Sequence, residues 1–170
     1  EISSTSSVEE TGPVITPILQ WPIDDSSAIH LSNSSSLPAG DVPKQKRRAS
    51  WLLVDGIGVC FPDETEIYIE YADGVFRAWF DHGIHPVNEG YAYAILPNTS
   101  LDDIRNFAES LPVHPEQSGT GLHAVVDQER RATSMVFFKA GSFGDIQIDH
   151  PAIVYREVSE SGSLYSVQNP

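Results

Sequence analysis

Ten basic against twenty-four acidic side chains give this 170-residue sequence a formal net charge of -14, a field that repels phosphate and argues against nucleic acid as a partner. An acidic polysaccharide would be repelled too, unless a local basic groove overrides that field. The length suffices for one well-buried core, or a sandwich plus the start of a second, and not for a large enzyme; the single cysteine, Cys60, excludes an internal disulfide and a cysteine metal cluster, and no apolar run approaches the roughly 18 residues of a membrane span.

The chain opens on Glu1 with no charged-then-apolar leader, as expected of a processed end or a piece of a longer chain. Residues 1–50 are rich in serine, threonine and proline, with apolar islands at Val14-Ile15, Ile18-Leu19 and Trp21. They read as an irregular or edge-strand segment that needs a larger body to pack on, because their polar stretches cannot bury enough surface alone. The cluster Lys44-Gln45-Lys46-Arg47-Arg48 reads first as a solvated loop, with a polyanion contact and a dibasic processing site as the other readings. Asn33-Ser34-Ser35 and Asn98-Thr99-Ser100 fit the N-glycosylation pattern, which leans toward an extracellular, secreted protein.

From Trp51 the pattern changes to short β-branched and aromatic runs separated by glycine, proline or aspartate, the signature of strands. Trp51 to Val54, Asp55-Gly56 and Ile57 to Phe61 read as strand, turn or bulge, strand. Thr65 to Tyr71 alternates, with Ile67, Ile69 and Tyr71 to one side and Glu66, Tyr68 and Glu70 to the other. Asp73-Gly74 fits a two-residue hairpin turn into Val75 to Phe80. Tyr91 to Leu96 is apolar on both faces and is expected to be a central strand. Ser100 to Leu111 is expected to be a helix, capped by Ser100, with Leu101, Ile104, Phe107, Ala108 and Leu111 on one stripe. Leu122 to Val126, Ser134 to Phe138, Asp145 to Ile148, Ile153 to Val158 and Leu164 to Val167 follow as further short strands. The expected fold is all-β, an antiparallel β-sandwich with one short connecting helix.

Several segments, taken in order, resemble the family 8 polysaccharide lyases, which act on hyaluronate, chondroitin or xanthan. They are Trp51 to Pro62 (WLLVDGIGVCFP), Phe80-Asp81-His82-Gly83, Tyr91 to Asn98 (YAYAILPN), the helix after it, Asp149-His150-Pro151-Ala152 and the closing Ser166 to Pro170. The likeness covers residues 51–170. Val54, where family members often carry histidine, and Val59-Cys60, where an aromatic is common, depart from it. The resemblance implies part of a galactose-mutarotase-like supersandwich over residues 51–118, and further strands with the start of a small C-terminal β domain over 119–170. It also implies a helical catalytic domain or chain as partner, because the family's asparagine, histidine, tyrosine and arginine lie on a helical toroid that precedes the β region. An acidic polysaccharide is then the implied ligand.

Within the chain itself no catalytic residue, metal ligand or cofactor site is assigned. Trp79, His82 and His85 form the candidate substrate-binding set. Trp79 shares a strand face with Arg77 and Asp81, so its ring could serve as a sugar platform, against the alternative of burial. His82 and His85 have a spacing that zinc sites use but no third ligand nearby, and otherwise read as turn and solvent residues. His123 and His150 fall at strand edges. The adjacent pairs Glu9-Glu10, Asp24-Asp25 and Asp102-Asp103 point apart and make no acid/base couple. Cys60, between Val59 and Phe61, reads as a buried hydrophobe. The function expected is the non-catalytic β portion of a secreted lyase. The alternatives are a stand-alone carbohydrate-binding module and a lyase-like scaffold turned to a small molecule.

Overall fold

Fourteen strands and one helix make up the described residues, 12–24, 27–38, 42–87 and 90–169, of this computed structural model. Strands β1 (Ile15–Pro22), β2 (Ala28–Leu31), β3 (Ser34–Pro38), β4 (Val42–Val54), β5 (Ile57–Ala72), β6 (Val75–Asp81) and β7 (Ala94–Pro97) form a seven-stranded antiparallel sheet in the order β1-β6-β5-β4-β2-β3, with β7 also on β5. Helix α1 (Leu101–Ser110) leads to a five-stranded sheet, β14-β13-β10-β9-β8. Its strands are β8 (Val113–Ser118), β9 (Leu122–Asp127), β10 (Ala132–Phe137), β13 (Ala152–Ser159) and β14 (Gly162–Gln168). The short hairpin of β11 (Gly141–Phe143) and β12 (Ile146–Ile148) covers one face of this second sheet.

The long β4–β5 hairpin organises the first sheet. Asp55 and Gly56 both have positive φ, 48° and 75°, the conformation that a two-residue turn matching strand twist requires. The turn sets Val54 opposite Ile57 and Trp51 opposite Cys60. The register then breaks: Ala49 faces Thr65, so Ser50 alone stands against Phe61, Pro62, Asp63 and Glu64. Pro62 lies in this bulge, where a missing N–H forfeits no ladder bond. Pro17 in β1, Pro43 in β4 and Pro115 in β8 likewise sit at or beside register shifts.

On one side of the bulge β5 is flanked by β7 and β4 by β2; on the other β5 is flanked by β6, which carries β1. Both halves contribute to one core. Ile29, Leu52, Val54 and Val59 come from one half, and Ile67, Ile69, Phe76 and Ala78 from the other. A bulge that lets long strands turn a corner between two packed layers is a standard way to close a sandwich, and the all-β sandwich expectation stands.

The back of the turn end is covered by α1. Ser100 caps the helix as expected: its hydroxyl accepts from the Asp103 backbone N–H, and the Asp103 carboxylate accepts from the Ser100 backbone and hydroxyl. These bonds hold the Asp103 carboxyl below its usual pKa, the Ser100 hydroxyl being the larger cause. Leu101, Ile104, Phe107, Ala108 and Leu111 pack on Trp51, Leu53 and Cys60. Burial pushes the Cys60 thiol up to about 11, consistent with an inert core residue. Gly58 makes the close approach possible, since a Cβ there would lie 2.7 Å from Thr99 Cγ2 and 2.8 Å from Ile104 Cδ1.

Three expectations are corrected. Lys44 to Arg48 is not a solvated loop: it lies within β4, hydrogen-bonded along β5, and Lys46 and Arg48 reach Glu66 and Glu64 from the strand's outer face. The two separate strands expected over 57–71 are one bulged strand. The Tyr91–Leu96 segment is not a central strand. Only Ala94–Pro97 is extended, at the side of β5 away from β4, and Tyr91 and Ile95 remain exposed because no strand among the described residues covers that edge. Strand β4 also runs through residue 50, so the segments on either side of that position share one sheet.

In the second sheet, Leu122, Ala124, Met135, Phe137, Ala152 and Val154 form a separate core under Phe143, Ile146 and Ile148. His150, just before β13, donates through Nδ1 to the Asp149 carboxylate and through Nε2 to Asn169 Oδ1 at 3.0 Å, tying the loop to the end of β14. The Asp149 bond, then the Asn169 bond, raise its pKa above the ordinary 6.5. The tie is therefore complete below the unfolded value and is lost as pH rises through the higher folded one.

Gly58→Val is expected to destabilise the fold by about 1–3 kcal/mol through overpacking under α1. Urea unfolding measures it, and a loss below about 0.5 kcal/mol would show that the helix does not pack on Gly58 as described. For His150, a proton NMR titration should give a midpoint above 6.5 that falls in Asp149→Asn; an unchanged midpoint would exclude the Asp149 bond as its cause.

Candidate functional site

The hairpin turns determine which side chains meet on the outer face of the first sheet. Asp73 and Gly74, with φ of 55° and 73°, form the second tight turn and place Ala72 opposite Val75. Counting back two by two brings Tyr68 opposite Trp79, and the β4 register adds Lys46 opposite Tyr68. Lys46, Tyr68 and Trp79 thus lie in one row across three strands, on the side away from Ile67, Ile69, Ala78 and Phe80. The Tyr68 and Trp79 rings are stacked, with centroids 5.7 Å apart and planes 15° from parallel.

Cations surround this pair. The Lys44 ammonium is 5.2 Å from the Tyr68 centroid and 5.5 Å from that of Trp79, and Lys46 Nζ is 5.4 Å from Tyr68. Lys46 also pairs with Glu66 at 2.7 Å, which raises its pKa despite partial desolvation. Arg77 reaches Glu70 at 3.7 Å and Arg48 reaches Glu64 at 3.5 Å. Lys44 shares the face of Lys46 by ordinary alternation, and a bulge at Pro43-Lys44, opposite Glu70, turns Val42 inward to pair with Tyr71.

A second, apolar feature lies where the two sheets approach. Tyr91 packs on Phe80 at 5.5 Å, on His82 at 5.9 Å and on Tyr93 at 6.3 Å. Beside it, Gly90 to Ala92, Pro115, His123 and Val125 line a groove of about 350 Å³. His123 packs edge-on against Phe138 at 5.1 Å.

The candidate residues do not converge. Trp79 is half-buried on the outer sheet face. His82 lies on the side of Phe80, with its Nε2 2.9 Å from Thr16 Oγ1, and so is separated from Trp79 by the sheet. His85 is exposed at a φ of 60° in the loop beyond. Among the described residues no group of three or more His, Cys, Asp or Glu is placed to hold a metal ion. Asp102 pairs with Arg105 and Asp103 caps the helix, while Glu9, Glu10 and Asp25 lie outside the described residues. Sequence reasoning missed Tyr68 and the lysines as partners of Trp79. The signal was present: once Asp73-Gly74 is taken as a two-residue turn, the pairing of residues 68 and 79 follows by counting.

No family model matches the chain. Chondroitinase-AC of Pedobacter heparinus is 27% identical over a region covering 61% of this chain and 18% of that enzyme. A hyaluronate lyase of Enterococcus faecalis is 22% identical, covering 72% of this chain and 15% of its own length. This chain therefore spans less than a fifth of each curated relative, at 18% and 15%. Among solved structures, a Paenibacillus xanthan lyase superposes with a TM-score of 0.79 at 16% identity, over 87% of this chain and 17% of the lyase. A chondroitinase AC lyase superposes with a TM-score of 0.77 at 21% identity, over 93% of this chain and 27% of that one. By sequence similarity to the first two and by fold to the second two, this chain is related to a β-rich segment of the family 8 polysaccharide lyases.

Proposed function

We propose that this chain is the β-sheet portion of a secreted polysaccharide lyase or lyase-like protein, supporting a helical part that breaks the glycosidic bond. The observation that carries the reading is the match to chondroitinase-AC across a region that makes up only 18% of that enzyme. β-Elimination beside a uronic acid requires three groups: one to neutralise the substrate carboxylate, a base for the α-proton and an acid for the leaving oxygen. The family resemblance assigns these to a helical toroid, and the sheets described above supply a rigid body for such a part to rest on. Two independently packed cores, under separate sheets, support this structural role.

A stand-alone carbohydrate-binding module is the second reading, favoured by the cation-flanked Tyr68–Trp79 pair on an open sheet face. The two readings part on one observation. A lyase portion co-purifies from its source with, or is continuous with, a helix-rich polypeptide of several hundred residues; a module is a monomer that binds glycans unaided.

Incubated alone with hyaluronan, chondroitin or xanthan, the chain is expected to produce no unsaturated uronide absorbance. A clear, enzyme-dependent rise would overturn the assignment of bond-breaking to another part.

A further inference from the structure

We propose that the outer face of β4, β5 and β6 is itself a binding surface for a uronate-bearing polysaccharide, with Tyr68 and Trp79 as the stacking platform and Lys44 and Lys46 as the carboxylate contacts. The glycan class rests on the lyase reading above; the location rests on the geometry alone. This surface lies on the opposite side of the sheet from the apolar core and from His82.

A local excess of positive charge favours an anionic occupant. Lys44, Lys46, Arg48 and Arg77 are four of the ten basic residues in a chain of net charge -14, and all four stand on this one face. Three of them are balanced by Glu66, Glu64 and Glu70. Lys44 makes no ion pair among the described residues, and its charge is held over two aromatic rings instead. A π-face attracts a cation without neutralising it, so an ammonium stationed there remains available to an anion. The Lys46–Glu66 pair is also open to exchange: both side chains are about half exposed, at 49% and 54%, and such pairs are worth little in water. A sugar carboxylate can replace Glu66 on Lys46 and approach Lys44 while its ring lies against Tyr68 or Trp79.

The row geometry adds direction. Side chains at paired positions of neighbouring strands project to the same side, the strands being about 4.8 Å apart, so Lys46, Tyr68 and Trp79 form a track across the strands that ends beside Pro17 of β1. Because the Lys44 and Lys46 ammonium groups stand over these rings, an extended polymer on this row draws them onto its carboxylates as it meets the aromatic pair. A double-stranded nucleic acid would gain from the cations and nothing from the rings, because its bases are already stacked on each other.

The test is a binding titration of the 170-residue chain with hyaluronan, followed by calorimetry or tryptophan fluorescence. Neutral dextran and duplex DNA serve as comparison ligands. Hyaluronan is expected to bind, more weakly as salt rises, with dextran and DNA well behind. Since each exposed lysine–carboxylate pair is worth up to about fivefold in an equilibrium constant, the double variant Lys44→Gln/Lys46→Gln should lose about fivefold or more. Trp79→Ala should lose a comparable amount; the lysine variant is surface-only and keeps the test valid if Trp79→Ala fails to fold. Arg130→Gln, on the second sheet, should bind as the parent does. Unchanged affinity in a folded lysine variant, or equal binding of dextran or DNA, would overturn the proposal. The uronide assay and the search for a helical partner do not depend on these residues, so either idea can fail while the other survives.

Discussion

One mismatch in strand length governs this molecule: between Ala49 and Trp51 a single residue of β4 faces four residues of β5. A regular ladder across that point would have left one flat, sixteen-residue strand with nothing to cover its apolar side. The surplus in β5 breaks the ladder and allows the two ends of the hairpin to share a core, with Leu52 and Val59 from one end joining Ile67 and Ile69 from the other. Pro62 suits this position because a residue without an N–H weakens a ladder anywhere else. The tight turn at Asp55-Gly56 then fixes which residues of the near end face α1, and so where Gly58 must lack a side chain. Sheet closure, helix docking and the composition of the outer face all derive from two registers, separated by that break.

The outer face follows from the same arithmetic. With apolar residues committed inward at alternate positions, the intervening ones are free to be charged or aromatic. β4 contributes lysine and arginine, β5 contributes glutamate around Tyr68, and β6 contributes Arg77 and Trp79. The basic residues are therefore ordered by strand pairing rather than dispersed in a flexible tail. That ordering gathers four cations and three carboxylates on one face and leaves Lys44 as its positive excess.

Much of the fold was legible in the sequence, and the parts that were not have identifiable causes. Both Asp-Gly turns, the alternation around Ile67 and Ile69 and the capped helix at Ser100 are local signals, carried by residues next to one another in the chain. The first half of β4 was unreadable because its outward positions are lysine and arginine. Arg47, moreover, faces the same side as Ala49 and Ile67, so the usual apolar alternation is interrupted there. β8 was missed because Pro115 argues against a strand, and it is tolerated there only beside a bulge on an edge. Tyr91 to Leu96 misled in the opposite sense: its apolar residues signal contact, but Tyr91 makes its contact with Phe80 and His82 by ring packing outside the ladder. For the candidate surface, Trp79 was identifiable by its place in the strand. Its partners Tyr68, Lys44 and Lys46 depend on pairing across strands, which only the turn geometry reveals.

Strand β14 carries an implication for anyone preparing this polypeptide. Among the described residues it pairs with β13 alone, and Leu164, Tyr165 and Val167 along it are all exposed. Its outward ladder of peptide groups is an open template, with apolar side chains on both flanks to reward any chain that adds to it. In a preparation of these 170 residues by themselves, that rim is where one copy would add to another. A lysine or proline placed on the unpaired side of β14 would be the economical way to keep it dispersed.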